Sequence, residues 1–156
     1  MGSSGKLEVE LEVKTSADKF WESVRDSTAL FPKILPTHYK SIQVLEGDGK
    51  CVGSVKLLTY AEEIPGVKFS KERIDAVDEE GKELAFSVID GDVSKFYKHL
   101  KAKLQVIPKG GGHEVGSLVK WSCEFEKASE DVPDPHLIQD FALHVFKALD
   151  DYLLKN

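Results

Sequence analysis

Three sets of residues in this 156-residue chain have types and spacings that could do chemistry. The first is the run Gly47-Asp48-Gly49-Lys50-Cys51-Val52-Gly53-Ser54, whose glycines could free backbone N–H groups to cradle an anion. No Gly-Lys-Ser/Thr closes it, and a strand pattern rather than a helix follows, so it is not a P-loop. A hairpin turn needing positive φ accounts for the same glycines, Gly47, Gly49 and Gly53. The second set is His38, His99, His113, His136 and His144, which lack close metal-ligand spacing. His136 and His144 stand about two helical turns apart, too far to share one ion unaided. No metal is expected. The third set is the carboxylates Glu62, Glu63 and Glu72, which fall near expected strand ends and read as solvated charges.

The elements that would position these groups are legible in the hydrophobic period. From Asp134 to Asn156, at ~100° per residue, Leu137, Ile138, Phe141, Ala142, Val145, Phe146, Leu149, Tyr152 and Leu153 sweep out a broad apolar face. Asp140, Lys147, Asp150 and Asp151 take the opposite side. Asp134 suits the N-cap, Pro135 the first helical position, and Lys155 the negative end of the dipole. Elsewhere the period is two. Leu7, Val9, Leu11 and Val13 alternate with Glu8, Glu10, Glu12 and Lys14, the signature of a strand with one buried face. Ser16 then caps a short helix carrying Phe20, Trp21 and Val24; Ser27 or Thr28 caps a second, which the Pro32 and Pro36 pair ends.

Between Lys40 and Lys127 the chain reads as strands separated by Gly47-Asp48-Gly49, Pro65-Gly66, Glu80-Gly81, Asp90-Gly91-Asp92 and Gly110-Gly111-Gly112. That spacing predicts an antiparallel meander. Leu84, Phe86 and Val88 share one face of a strand; Leu100, Ala102 and Leu104 oppose His99, Lys101 and Lys103; Val119, Trp121, Cys123 and Phe125 oppose Lys120, Ser122, Glu124 and Glu126. The order is strand, two short helices, six strands, one long helix: an α+β fold in which a curved sheet grips a helix.

Composition sets bounds on function. A chain of this length suits one domain, taken as residues 1–156, with 1–5 either native and flexible or left over from cloning. A net charge of −6, with lysines interleaved among acids, argues against a nucleic-acid partner. Cys51 and Cys123 are the only cysteines, and no signal-peptide core or ~20-residue apolar span is seen. Lys6 stands where a myristoylation signal wants Ser or Thr. The expectation is a cytoplasmic, reduced protein, monomeric, with no cofactor and no membrane span.

The sequence also resembles a known family over almost its whole length. Gly5-Lys6-Leu7-Glu8-Val9, Leu30-Phe31-Pro32-Lys33, Glu46-Gly47-Asp48-Gly49 followed by Gly53-Ser54-Val55, and Lys71-Glu72-Arg73-Ile74-Asp75 carry the likeness. It continues through Ser87-Val88-Ile89-Asp90-Gly91-Asp92, the run from Val119 to Glu126, and Tyr152-Leu153-Leu154. These motifs resemble the major latex proteins, within the birch-pollen-allergen-like, pathogenesis-related plant proteins. The resemblance implies a helix-grip (START-like) fold: seven antiparallel strands around the terminal helix, with two short helices after the first strand. It further implies a defence, stress or transport role, and an internal cavity for a steroid, flavonoid, hormone or lipid-like molecule.

Carried over position by position, the resemblance implies a cavity lined by Phe20, His38, Lys56, Leu58, Tyr60, Val67, Phe69, Leu84, Phe86, Val88, Lys98, Leu100, Ala102, Val119, Trp121, Cys123, Leu137, Phe141 and Val145. Leu84 and Phe86 stand at positions that are tyrosines in the birch-type pattern, and Trp121 adds bulk, which implies a drier and smaller pocket. Leu149, Tyr152 and Leu153 are expected to anchor the helix as core. Relatives that are isomerases or condensing enzymes pair an inward lysine with carboxylates or a tyrosine. Lys56 and Lys98 are the inward lysines implied here, with no carboxylate clearly beside them, so the leading expectation is a non-enzymatic binding protein. Hormone receptors on the same fold carry a Ser-Gly-Leu-Pro-Ala gate and a His-Arg-Leu latch. The equivalent runs, Ala61-Glu62-Glu63-Ile64-Pro65-Gly66 and Asp90-Gly91-Asp92-Val93, match neither.

Overall fold

A computed structural model describes residues 3–61, 67–109 and 116–155. Strand β1 (Ser4–Val13) leads into helices α1 (Ala17–Arg25) and α2 (Ser27–Ile34). Strands β2 (Tyr39–Glu46), β3 (Val55–Tyr60), β4 (Phe69–Asp78) and β5 (Glu83–Gly91) follow; then a 3-10 turn (Asp92–Lys95), β6 (Tyr97–Pro108), β7 (Ser117–Lys127) and the long α3 (His136–Lys155). The strands form one antiparallel curved sheet in the order β1-β7-β6-β5-β4-β3-β2. Every sequential pair from β2 to β7 is adjacent, the meander that the turn spacing predicted. Residues 62–66 and 110–115, with the turns and glutamates expected in them, lie outside the described residues, as does residue 156.

Period-two alternation fixes which side chains face α3. On β7, Val119, Trp121, Cys123 and Phe125 are all buried while Lys120 and Glu124 are exposed. Across from them Leu104 pairs with Trp121, Ala102 with Cys123 and Leu100 with Phe125. From α3, Val145, Phe146, Leu149 and Leu153 join the same core. Leu149 is fully buried, and at about 25 cal/mol per Å² a buried leucine contributes roughly 1.5–3 kcal/mol.

The helix ends differ in detail from the expectation. Helix α3 begins at His136, because Gln139 N donates to Pro135 O (3.1 Å) as the first turn closes. Asp134 instead ion-pairs with Lys127 at 2.9 Å. Helix α1 is capped as expected, Ser16 Oγ accepting from Lys19 N. Neither Ser27 nor Thr28 caps α2; Asp26 precedes it without a side-chain cap bond. Pro32 lies inside α2, which continues to Ile34. Ser4 and Gly5 are not a loose lead, since they pair with Glu126 and Phe125.

Asp150 is the largest departure on α3. Helical phase placed it on the solvent side, yet it is buried and accepts from Lys14 N (3.0 Å), Thr15 N (2.9 Å) and the Thr15 hydroxyl. The end of β1 turns over the helix at this point and supplies donors that a helical wheel does not contain. The carboxylate therefore pins the C-terminal half of α3 to the β1–α1 junction.

Candidate functional site

A cavity of about 150 Å³ lies between the sheet and the first half of α3. Strand β3 contributes Lys56, Leu58 and Tyr60; β4 contributes Glu72 and Ile74, with Val67 just before it; β5 contributes Leu84, Phe86 and Val88. Leu100, Ala102 and Leu104 of β6 and Trp121 of β7 close the far wall, and Tyr39 and Ile42 of β2 the near one. Ile138, Phe141, Ala142, Val145 and Phe146 form the roof, while Val24, Ser27 and Phe31 come from α1 and α2.

Of the residues expected here, Lys56, Leu58, Tyr60, Val67, Leu84, Phe86, Val88, Leu100, Ala102, Trp121, Phe141 and Val145 meet at this cavity. The others are placed elsewhere, each for a physical reason. Phe20 is completely buried, but edge-on against Phe146 (6.2 Å) between α1 and α3. Val119 and Cys123 share the inward face of β7 with Trp121, where they pack as core and do not reach the void. Leu137 is 62% exposed. In helical phase it lies about 40° from Phe141 and about 100° from Ile138, at the outer edge of the apolar stripe in the first turn of α3. Lys98 is exposed and bridges to Glu126 (3.8 Å), because the register slips between Tyr97 and His99 and turns its side chain outward. His38 lies outside the lining, its ring 5.5 Å from that of Phe141 and its Nδ1 3.1 Å from Thr37 Oγ1.

Phe69 marks the correction with the most consequence. It is 37% exposed, and the inward parity on β4 belongs to Ser70, Glu72 and Ile74. A shift of one residue sends every side chain of a strand to the other face. Glu72, expected as a solvated strand-end charge, therefore stands mid-strand and faces the cavity. It is the register partner of Lys56 across β3 and β4, so the carboxylate missing from the sequence reading is present beside the lysine. The alternation is reset within β4 itself: the register slips between Ile74 and Ala76, leaving Asp75 as an extra residue, so the inward side passes from Ser70, Glu72 and Ile74 to Val77.

These groups form one polar end in an otherwise apolar space. Lys56 Nζ donates to Ser27 Oγ (3.2 Å), and Tyr60 OH and Ser70 Oγ are 2.7 Å apart. Burial pushes the Glu72 carboxyl up to about 7, with the Lys56 charge pulling the other way. Burial also lowers Lys56 below the usual lysine range, against the Glu72 charge. Tyr39 and Tyr60 are held well above the ordinary phenol range, first by burial, so both stay neutral. The ring of Phe141 meets Tyr39, Tyr60 and His38, each at 5.5 Å, and so covers this end.

The glycine loop proves to be a closed turn. Gly47, Gly49 and Gly53 have φ of 77, 84 and 91. Asp48 Oδ1 accepts from Lys50 N and Cys51 N, both at 2.8 Å, so the chain's own carboxylate fills the place an anion would take. Those bonds hold Asp48 far below the usual carboxylate range. Among the described residues, no three His, Cys, Asp or Glu side chains come together to hold a metal ion.

With this geometry in hand, comparison with known proteins gives a consistent result. The profile of the pathogenesis-related protein Bet v 1 family matches residues 2–156. MLP-like protein 423 of Arabidopsis thaliana is 53% identical over 155 residues, which cover 99% of this chain and 97% of that one. The crystal structure of ginseng major latex-like protein 151 from Panax ginseng superposes with a TM-score of 0.87 at 32% identity, covering 97% and 98% of the two chains. Norcoclaurine synthase from Thalictrum flavum, solved with dopamine and hydroxybenzaldehyde, superposes at 0.78 with 25% identity, covering 98% of this chain and 88% of that one.

Proposed function

Because the chain belongs to the pathogenesis-related Bet v 1 family, we propose that it is a non-enzymatic carrier of small hydrophobic or amphipathic molecules, held between the sheet and α3. The observation that carries this reading is an apolar cavity with its few polar groups gathered at one end. Apolar area drives binding and the polar end orients the guest. Size narrows the class. A void near 150 Å³ suits a single ring with a short chain, since an apolar cavity of that size is known to hold benzene. Steroids and flavonoids, which the wider resemblance suggests, need the Phe141 cover to swing and α3 to lift. The carrier works as a monomer in the cytoplasm, in defence, stress or transport physiology. No helix among the described residues is long and apolar enough to cross a membrane.

Calorimetric titration with phenylpropanol tests this reading. Saturable binding is expected, and Ala142→Phe, whose ring would occupy the void, should weaken it at least tenfold. Absence of binding by the wild-type protein refutes the carrier.

A second reading is favoured by one specific observation, the cavity-facing pair of Lys56 and Glu72. An amine and a carboxyl shifted towards neutrality by burial can exchange protons with a bound molecule. An isomerase or condensing enzyme would lose turnover in Lys56→Met while the apolar part of its substrate still bound. Turnover unchanged in that variant removes the reading.

A further inference from the structure

The reading of the cavity as a binding site has a consequence for the guest's charge. We infer that the cavity takes ring-sized amphiphiles with an acidic head, each together with one proton from water, the head settling on Lys56 and the proton on Glu72. The pair stands across β3 and β4 with both side chains lining one apolar space, so when Glu72 is ionised the two charges cancel in the empty cavity. An incoming carboxylate at Lys56 would leave two negative groups beside one positive group in low dielectric, where an unpaired buried charge is costly. Protonating Glu72 restores neutrality, with no covalent bond made or broken.

The neighbours of Glu72 leave this as the cheapest route. Lys56 and Tyr60 face it from β3 and Tyr39 from β2; Val88 pairs with it on β5. Ser27 of α2 accepts from Lys56, and Arg25 of α1 acts on Lys56 from a distance. Helix α3 presents Ile138, Phe141, Ala142 and Val145, all uncharged. Tyr39 and Tyr60 cannot supply a charge near neutral pH, since both titrate far above it. The His38 ring packs 5.5 Å from that of Phe141 and is not part of the cavity lining. An amine guest would have to discharge Lys56 instead. Glu72, near half-protonation at pH 7, takes up a proton at a cost of only about twofold in affinity.

The experiment compares phenylpropanoic acid with phenylpropanol, a neutral molecule of the same ring and chain, by calorimetry at pH 6 and pH 8 in buffers of different ionisation enthalpy. The acid, itself ionised across this range, should bind about tenfold tighter at pH 6 with close to one proton taken up at pH 8, and the alcohol should show no pH dependence. Glu72→Gln should flatten the acid's profile. Lys56→Met should weaken the acid at least tenfold more than the alcohol. Retained pH dependence in Glu72→Gln would place the proton on the guest and overturn the inference. So would a flat wild-type profile, an equal slope for the alcohol, or an acid that fails to bind at either pH, and in those cases alcohol binding leaves the carrier reading standing. If neither molecule binds, the carrier reading fails and this inference falls with it.

Discussion

Replacing Glu72 by glutamine should stabilise the protein at pH 8, although it removes a carboxylate that faces a lysine. In the folded chain the carboxyl is pushed up to about 7 from an ordinary value of 4.5, the Lys56 charge already counted. The fold therefore binds that proton more tightly than the unfolded chain does. Stability from this group is fully present below about pH 4.5 and is lost as pH rises to about 7, after which the penalty is constant. At ~1.4 kcal/mol per pH unit the full difference is about 3 kcal/mol, and because Glu72 is half-buried rather than sealed, water screens it to roughly 2 kcal/mol. For a chain of this length that is ~4–8 °C in Tm. Glutamine keeps the shape of the protonated acid, so the two proteins should melt together at pH 4.5 and separate progressively up to pH 7.5. Both retain every other titrating group, so the difference reads residue 72 together with the Lys56 charge it faces. Thermal unfolding by circular dichroism across pH 4.5–8 measures it. Parallel melting curves at all pH values, or a less stable glutamine variant at pH 8, would refute the argument that burial outweighs the lysine.

Four other outcomes follow from the geometry. Asp150→Ala leaves Lys14 N, Thr15 N and the Thr15 hydroxyl without their acceptor, and should cost about 3 kcal/mol in chemical denaturation, with Asp150→Asn recovering part of it. Leu137→Ser, at an exposed site, should change stability by less than ~0.5 kcal/mol and leave phenylpropanol affinity unaltered. Phe141→Ala should cost roughly 2 kcal/mol, since the ring is half-buried and meets three aromatic partners, and should admit two-ring guests that the wild-type cavity rejects in fluorescence titration. Asp48→Ala should loosen the glycine loop, seen as faster amide exchange at Lys50 and Cys51, without affecting guest affinity.

Much of this was legible in the sequence because it depends on local period. The alternation on β7 and β6 and the broad stripe on α3 identify the sheet face and the helix that covers it, and family motifs supply their order. What escaped depends on where a period is reset. The bulges at Asp75 on β4 and between Tyr97 and His99 on β6 shift parity by one residue, so a single alternation drawn along either strand misplaces Glu72, Phe69 and Lys98. Local pattern also cannot separate a wall from a core. Val119, Cys123 and Phe20 are as inward as Trp121, yet only Trp121 reaches the void; Phe20 is taken up by Phe146 of α3, and Val119 and Cys123 are fully buried in the core. Asp150 illustrates a third limit: its donors lie at residues 14 and 15, and no pattern within α3 announces them.

The central claim, a binding cavity under the first half of α3, is tested most directly by methyl NMR during titration with phenylpropanol. The account predicts saturating shifts at Leu58, Val88, Ala102 and Val145, with Leu137 and Leu154 unmoved. Shifts that never saturate, or that fall on Leu137 and the exposed face of α3 instead, would contradict it.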